Sequence, residues 1–120
     1  SMSDREWKLF IDDIIEALER IEEYIQQMEF SDFKTDRKTV DAVVKNLEVI
    51  GEAAKHIPDD VKEKYSSIDW KGMAGLRDRL VHAYFDISLS ILWQIISKEL
   101  PPLKREIERI KNEGKSISRP

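Results

Sequence analysis

Apolar side chains at Trp7, Ile11, Ile14, Leu18, Ile21, Ile25 and Met28 recur alternately four and three residues apart, which predicts a long amphipathic helix near the start of the chain. Phe10, Ile15 and Tyr24 widen its stripe, and Ser3 with Glu6 three residues later reads as its capping box. Residues 29–35 have no period and read as a loop. A second helix follows a cap near Asp36, with Val40, Val43, Val44, Leu47, Ile50, Ala54 and Ile57 on one face until Pro58 stops it. Residues 59–65 offer at most a short turn of helix. A polar break over 66–69 then supplies Asp69 as the cap of a third segment, running from about Trp70 to Tyr84. The last helical stretch starts near Asp86 or Ser88 and presents Leu89, Leu92, Trp93, Ile96, Leu100, Leu103, Ile107 and Ile110. Pro101 and Pro102 should kink or split it, and Gly114 is a suitable residue to end it. No segment alternates with period two. The pattern therefore predicts an all-α fold, an antiparallel bundle of four to five helices forming a single domain over residues 1–114, with a disordered polar tail over 115–120.

Composition narrows the picture without changing it. At 120 residues and 41% hydrophobic content, the chain holds one core and no second folded unit. With 37% charged residues and no apolar run near the ~18 residues of a membrane span, it is expected to be soluble. No basic-then-apolar leader opens it, and the absence of cysteine excludes a disulfide framework, thiol catalysis and cysteine-built zinc sites, so a cytoplasmic location is expected. Two histidines leave little for a histidine-rich metal site, and no cofactor is expected. The net charge of −4 is unevenly spread. Residues 1–32 carry ten acids against three bases, a balance of −7, while residues 33–120 carry 14 acids against 17 bases, a balance of +3. Any nucleic-acid site must therefore be local and small.

The stripe of the first helix is broader than a four-helix core of this length needs, and Trp7, Phe85 and Trp93 add large apolar surface. A homodimer is the expectation; the alternative is that these aromatics fill one core.

Candidate chemistry lies in residues 75–85, where Arg77 precedes His82 by five positions and Tyr84 by seven. A bare Arg-x4-His match would arise about 0.13 times per chain of this composition, and requiring the tyrosine lowers this to about 0.003. A neutral imidazole can take a proton from a ribose 2′-hydroxyl, while a guanidinium can hold the scissile phosphate through two oxygens. Asp78 could orient either group. The competing reading pairs Arg77 with Asp78 at a helix surface, leaves His82 as a cation near a helix C-terminus and packs Tyr84 in the core. On a straight helix His82 lies about 140° from Arg77 and Tyr84 only about 20°. A distorted helix, a long arginine reaching round, or two copies meeting across a two-fold axis would each bring Arg77 and His82 together. Gly51 reads as a close-packing position. Glu52 is expected to have no histidine near enough for a metal site, His56 to be a helix C-terminal cation, and Trp7, Trp70 and Trp93 to be buried.

The run 46–54, then Ile57-Pro58, Trp70, residues 77–85, and 93–103 with its Leu-Pro-Pro-Leu, resembles the HepT-type branch of the HEPN superfamily, in order over roughly residues 36–110. The resemblance implies an all-α homodimer and a ribonuclease toxin; the base and phosphate-clamp roles above would suffice to cut RNA without metal. Arg77 and His82 would be catalytic, and Asp78 would be the polar residue that follows the arginine. It further implies a small nucleotidyltransferase antitoxin of the MntA type that attaches AMP to Tyr84. A non-catalytic helical module that binds a nucleotide or docks the transferase is the alternative, and a plain helical adaptor with no site a third.

Overall fold

The computed structural model describes residues 2–76, 78–80 and 88–117, the last four as backbone only. Arg77, His82 and Tyr84 lie outside the described residues. Helix α1 (Asp4–Ile25) begins at Ser3, whose hydroxyl oxygen accepts the Glu6 N–H, and buries Trp7, Ile11, Ile14, Ile15, Leu18 and Ile21. That is the expected seam. Tyr24, expected to widen the stripe, is 39% exposed, while Ile25 beside it is partly buried against the core.

The expected loop at 29–35 holds a four-residue helix, α2 (Phe30–Phe33), in which the Asp32 carboxylate accepts the Glu29 N–H at 2.9 Å. Such a helix is too short to show a period. Its reason is tertiary: Phe33 is fully buried and stacks at a tilt on Trp93, with ring centroids 5.2 Å apart.

Helix α3 (Arg37–Lys55) is capped by Asp36, which accepts the Thr39 N–H at 3.1 Å, and ends at His56 before Pro58. It buries Val40, Val43, Leu47, Ile50 and Ala54 against α1, and Gly51 is buried with them. Asn46, the one buried polar side chain among the described residues, donates to the Ala42 carbonyl one turn back at 2.9 Å. Residues 59–65 form the short helix α4 (Asp59–Lys64), and α5 (Trp70–Ala74) packs on α3.

Ser88 caps α6 (Leu89–Gln94), which passes through a π turn (Ile95–Glu99) into α7 (Leu100–Ile117). The two prolines thus act through a widened turn that keeps the run helical. Pro101 and Pro102 have no N–H to offer the carbonyls four residues back, at Ser97 and Lys98, and their rings crowd those carbonyls. The turn ahead of them widens, and the Leu100 N–H donates to the Ile95 carbonyl five residues back. The Ser97 hydroxyl donates to the Trp93 carbonyl at 2.5 Å inside the same turn. Gly114 does not end α7. The helix runs to Ile117, into the segment expected to be a disordered tail; residues 118–120 lie outside the described residues.

The result is an all-α bundle with no strand among the described residues. Helix α1 is sandwiched between α3 and α7, and α2 bridges α3 and α6. The short α2 and α4 bring the helix count above the four or five expected. No described helix is long and apolar enough to cross a membrane.

Candidate active site

The stretch that leads into the Arg77 to Tyr84 segment is fixed from its N-terminal side. Asp69 opens α5 by accepting the Gly72 N–H at 2.9 Å. The Trp70 indole N–H donates to the Tyr65 carbonyl at 3.1 Å, tying the first residue of α5 to the turn before it, and the Trp70 and Met73 side chains are buried. At Gly75 the chain stays in the right-handed helical region, and the Arg79 N–H donates to the Gly75 carbonyl at 3.1 Å, so the helical path resumes over 76 and 78–80.

Leu76 and Leu80, one turn apart, are both buried and anchor this stretch to the core. Helical geometry puts Asp78, midway between them, about 180° away from that anchored side. It is exposed accordingly, and no hydrogen bond or ion pair joins it to another described residue. Of the four residues that the motif nominates, Asp78 is therefore on the outer face. Arg77, His82 and Tyr84 lie outside the described residues.

One charged pair beside the motif carries no signal in the periodicity. Arg79 Nη2 stands 3.4 Å from Glu99 Oε2, joining the motif stretch to the π turn across twenty residues of sequence. The only clue in the sequence is the second arginine of Arg77-Asp78-Arg79, and nothing local points to Glu99 as its partner.

The secondary candidates resolve as follows. His56 sits at the C-cap of α3, where a cation suits the helix dipole, with its ring stacked on Phe10 at a centroid distance of 4.7 Å and an interplanar angle of 11°. Its Nε2 lies 3.6 Å from Glu52 Oε1, which corrects the expectation that Glu52 has no histidine nearby: the two are four apart on one helix and share a face. Two donors do not make a metal site, and among the described residues no three histidine or carboxylate side chains converge. Trp7 and Trp70 are buried as expected. Trp93 is half-buried against Phe30 and Phe33.

Comparison with known proteins gives the same family from residues well beyond the motif. The family model described as "Ribonuclease HepT-like" matches residues 14–110. A protein of Thermococcus cleftensis named "Probable ribonuclease HepT" is 43% identical over 107 residues, covering 89% of this chain and 97% of the relative. A "Putative RNase" of Methanocaldococcus jannaschii is 43% identical over 109 residues, 91% of this chain and 90% of its own length. A third, from Caldanaerobacter subterraneus and also named "Putative RNase", is 38% identical over 101 residues, covering 84% of this chain and 90% of the relative. No solved structure matches.

Proposed function

Since the chain belongs to the HepT-like ribonuclease family, we propose that it is a metal-independent endoribonuclease whose reacting groups are Arg77 and His82. The observation that carries this reading is that the family match, over residues 14–110, runs through the complete Arg77, His82, Tyr84 motif.

In the proposed reaction His82, neutral, accepts the proton of a ribose 2′-hydroxyl as its oxygen bonds to the adjacent phosphorus. The bond from phosphorus to the 5′-oxygen breaks, leaving a 2′,3′-cyclic phosphate, and the departing 5′-oxygen takes a proton from water. Arg77 holds two phosphate oxygens and offsets the charge that develops on them. Asp78, on the outer face, supplies an acceptor that can orient the imidazole or the guanidinium. The chain acts as a homodimer, so that residues of two copies share one cleft, and it is the toxin of a toxin-antitoxin pair. Its partner is a small nucleotidyltransferase that adds AMP to Tyr84. RNA is the substrate, and no membrane takes part.

The test is incubation of the purified chain with single-stranded RNA in excess chelator. Cleavage by the parent and its loss in both Arg77→Ala and His82→Ala are expected. Cleavage by both variants at the parent's rate would overturn the assignment, and RNA that stays intact with the parent would favour a module that binds without cutting.

A further inference from the structure

The Arg79 and Glu99 pair has the wrong properties for a structural brace. Its separation of 3.4 Å is longer than the ~2.7–2.9 Å of a tight charge-assisted hydrogen bond, and the two side chains are 47% and 54% exposed. Exposed pairs of this kind add little to stability. The stretch has better anchors in Leu76 and Leu80, both buried. What the pair does achieve is to hold a guanidinium in place two residues after Arg77, over a cleft of about 120 Å³ between α5, the π turn and the start of α7. The other carboxylate lining that cleft, Asp69, is already committed to the Gly72 N–H.

A guanidinium presents the same planar fork to a phosphate as to a carboxylate, and a loosely held carboxylate is readily exchanged for one. The chain has a net charge of −4, with its whole acid excess in the first 32 residues, so a polyanion must be held by a few well-placed cations. We propose that Arg79 binds a backbone phosphate of the RNA strand, and that Glu99 occupies Arg79 when RNA is absent. Glu99 is thus an internal competitor that weakens binding of polyanions generally and sets a threshold that RNA must overcome. This rests on the ribonuclease reading above.

The pair makes an opposite-sign prediction that a structural brace does not. Binding of a labelled single-stranded RNA is measured by anisotropy in chelator over a range of salt concentrations, for the parent chain, Arg79→Gln, Glu99→Gln and the double variant. Arg79→Gln should weaken binding about three- to tenfold and reduce the steepness of log K against log salt by about 0.7, the value of one lost phosphate contact on a single strand. Glu99→Gln should tighten binding about two- to fivefold, and most of that gain should vanish in the double variant, since there is no longer a guanidinium to release. Weaker binding in both single variants, or equal binding in all four proteins, would overturn the proposal. If the parent cuts RNA while the four bind it alike, this inference fails alone. If the parent neither binds nor cuts RNA, the ribonuclease reading fails with it.

Discussion

Asp69 and Gly72 fit each other so closely that a methyl group would not fit between them: Asp69 Oδ1 accepts the Gly72 N–H at 2.9 Å, and a Cβ built on Gly72 would stand 2.1 Å from Asp69 Oδ2. The glycine makes room for the cap, and the cap fixes the start of the helix that leads into the motif. Asp69→Ala should cost about 1 kcal/mol. Gly72→Ala should destabilise the parent by a similar amount by expelling the carboxylate, yet be neutral or stabilising in the Asp69→Ala background, where only the better helix propensity of alanine remains. Urea denaturation of the four proteins checks this, and a loss from Gly72→Ala that is equal in both backgrounds would show the cap to be irrelevant.

Arg77→Ala and His82→Ala should each lower chelator-resistant RNA cleavage by ~10²-fold or more, with far-ultraviolet circular dichroism unchanged. The pH profile separates the two roles. If His82 is the base, the parent should show a rising acid limb that disappears from the residual activity of His82→Ala but persists in that of Arg77→Ala.

Tyr84 is the expected acceptor of AMP. Mass spectrometry after co-expression with the transferase should find the adduct there, and Tyr84→Phe should keep nuclease activity while escaping neutralisation. An attached AMP carries a phosphodiester charge that can occupy the Arg77 guanidinium. An adduct confined to another residue would contradict this.

The chain should be a dimer in solution. Among the described residues three large apolar side chains, Leu9, Tyr24 and Ile91, remain exposed on α1 and α6, beyond what the core of one copy buries. Light scattering should give about twice the chain mass of 14.1 kDa. A monomer at micromolar concentration would count against a shared cleft.

Asp36 gives a pH-dependent contribution of known sign. Its carboxylate accepts the Thr39 hydroxyl at 2.7 Å and the Thr39 N–H at 3.1 Å, which holds its pKa below the ordinary carboxylate value, with a smaller contribution from Lys38. A folded-state pKa below the unfolded one stabilises the fold above about pH 4 and loses that effect as the pH falls through the folded value. The melting temperature of the parent should therefore fall more steeply below about pH 4 than that of Asp36→Asn, which can still accept the Thr39 bonds but does not titrate. Parallel acid limbs in the two proteins would refute it.

What the sequence determined by itself is whatever rests on contacts between near neighbours. The caps at Ser3, Asp36 and Asp69 are legible because each is one side-chain oxygen meeting an N–H three residues on, while the choice of Ser88 over Asp86 came from the structure, and the buried faces of α1 and α3 follow because a helix repeats its direction every three or four residues. Arg77, His82 and Tyr84 are legible as residue types at a spacing, and the roles of base and phosphate clamp are proposed for them from their chemistry. Tertiary structure alone decided the rest. Helix α2 exists because Phe33 and Trp93, sixty residues apart, meet in the core. The prolines widen a turn because the run from α6 to α7 stays packed along its length, so a break would expose Ile95, Ile107 and Ile110. Helix α7 passes Gly114 because one glycine's entropy cost does not end a helix whose preceding turns are held by burial. Arg79 meets Glu99 only because the π turn carries Glu99 beside the motif stretch, a relation between distant residues that no local period encodes.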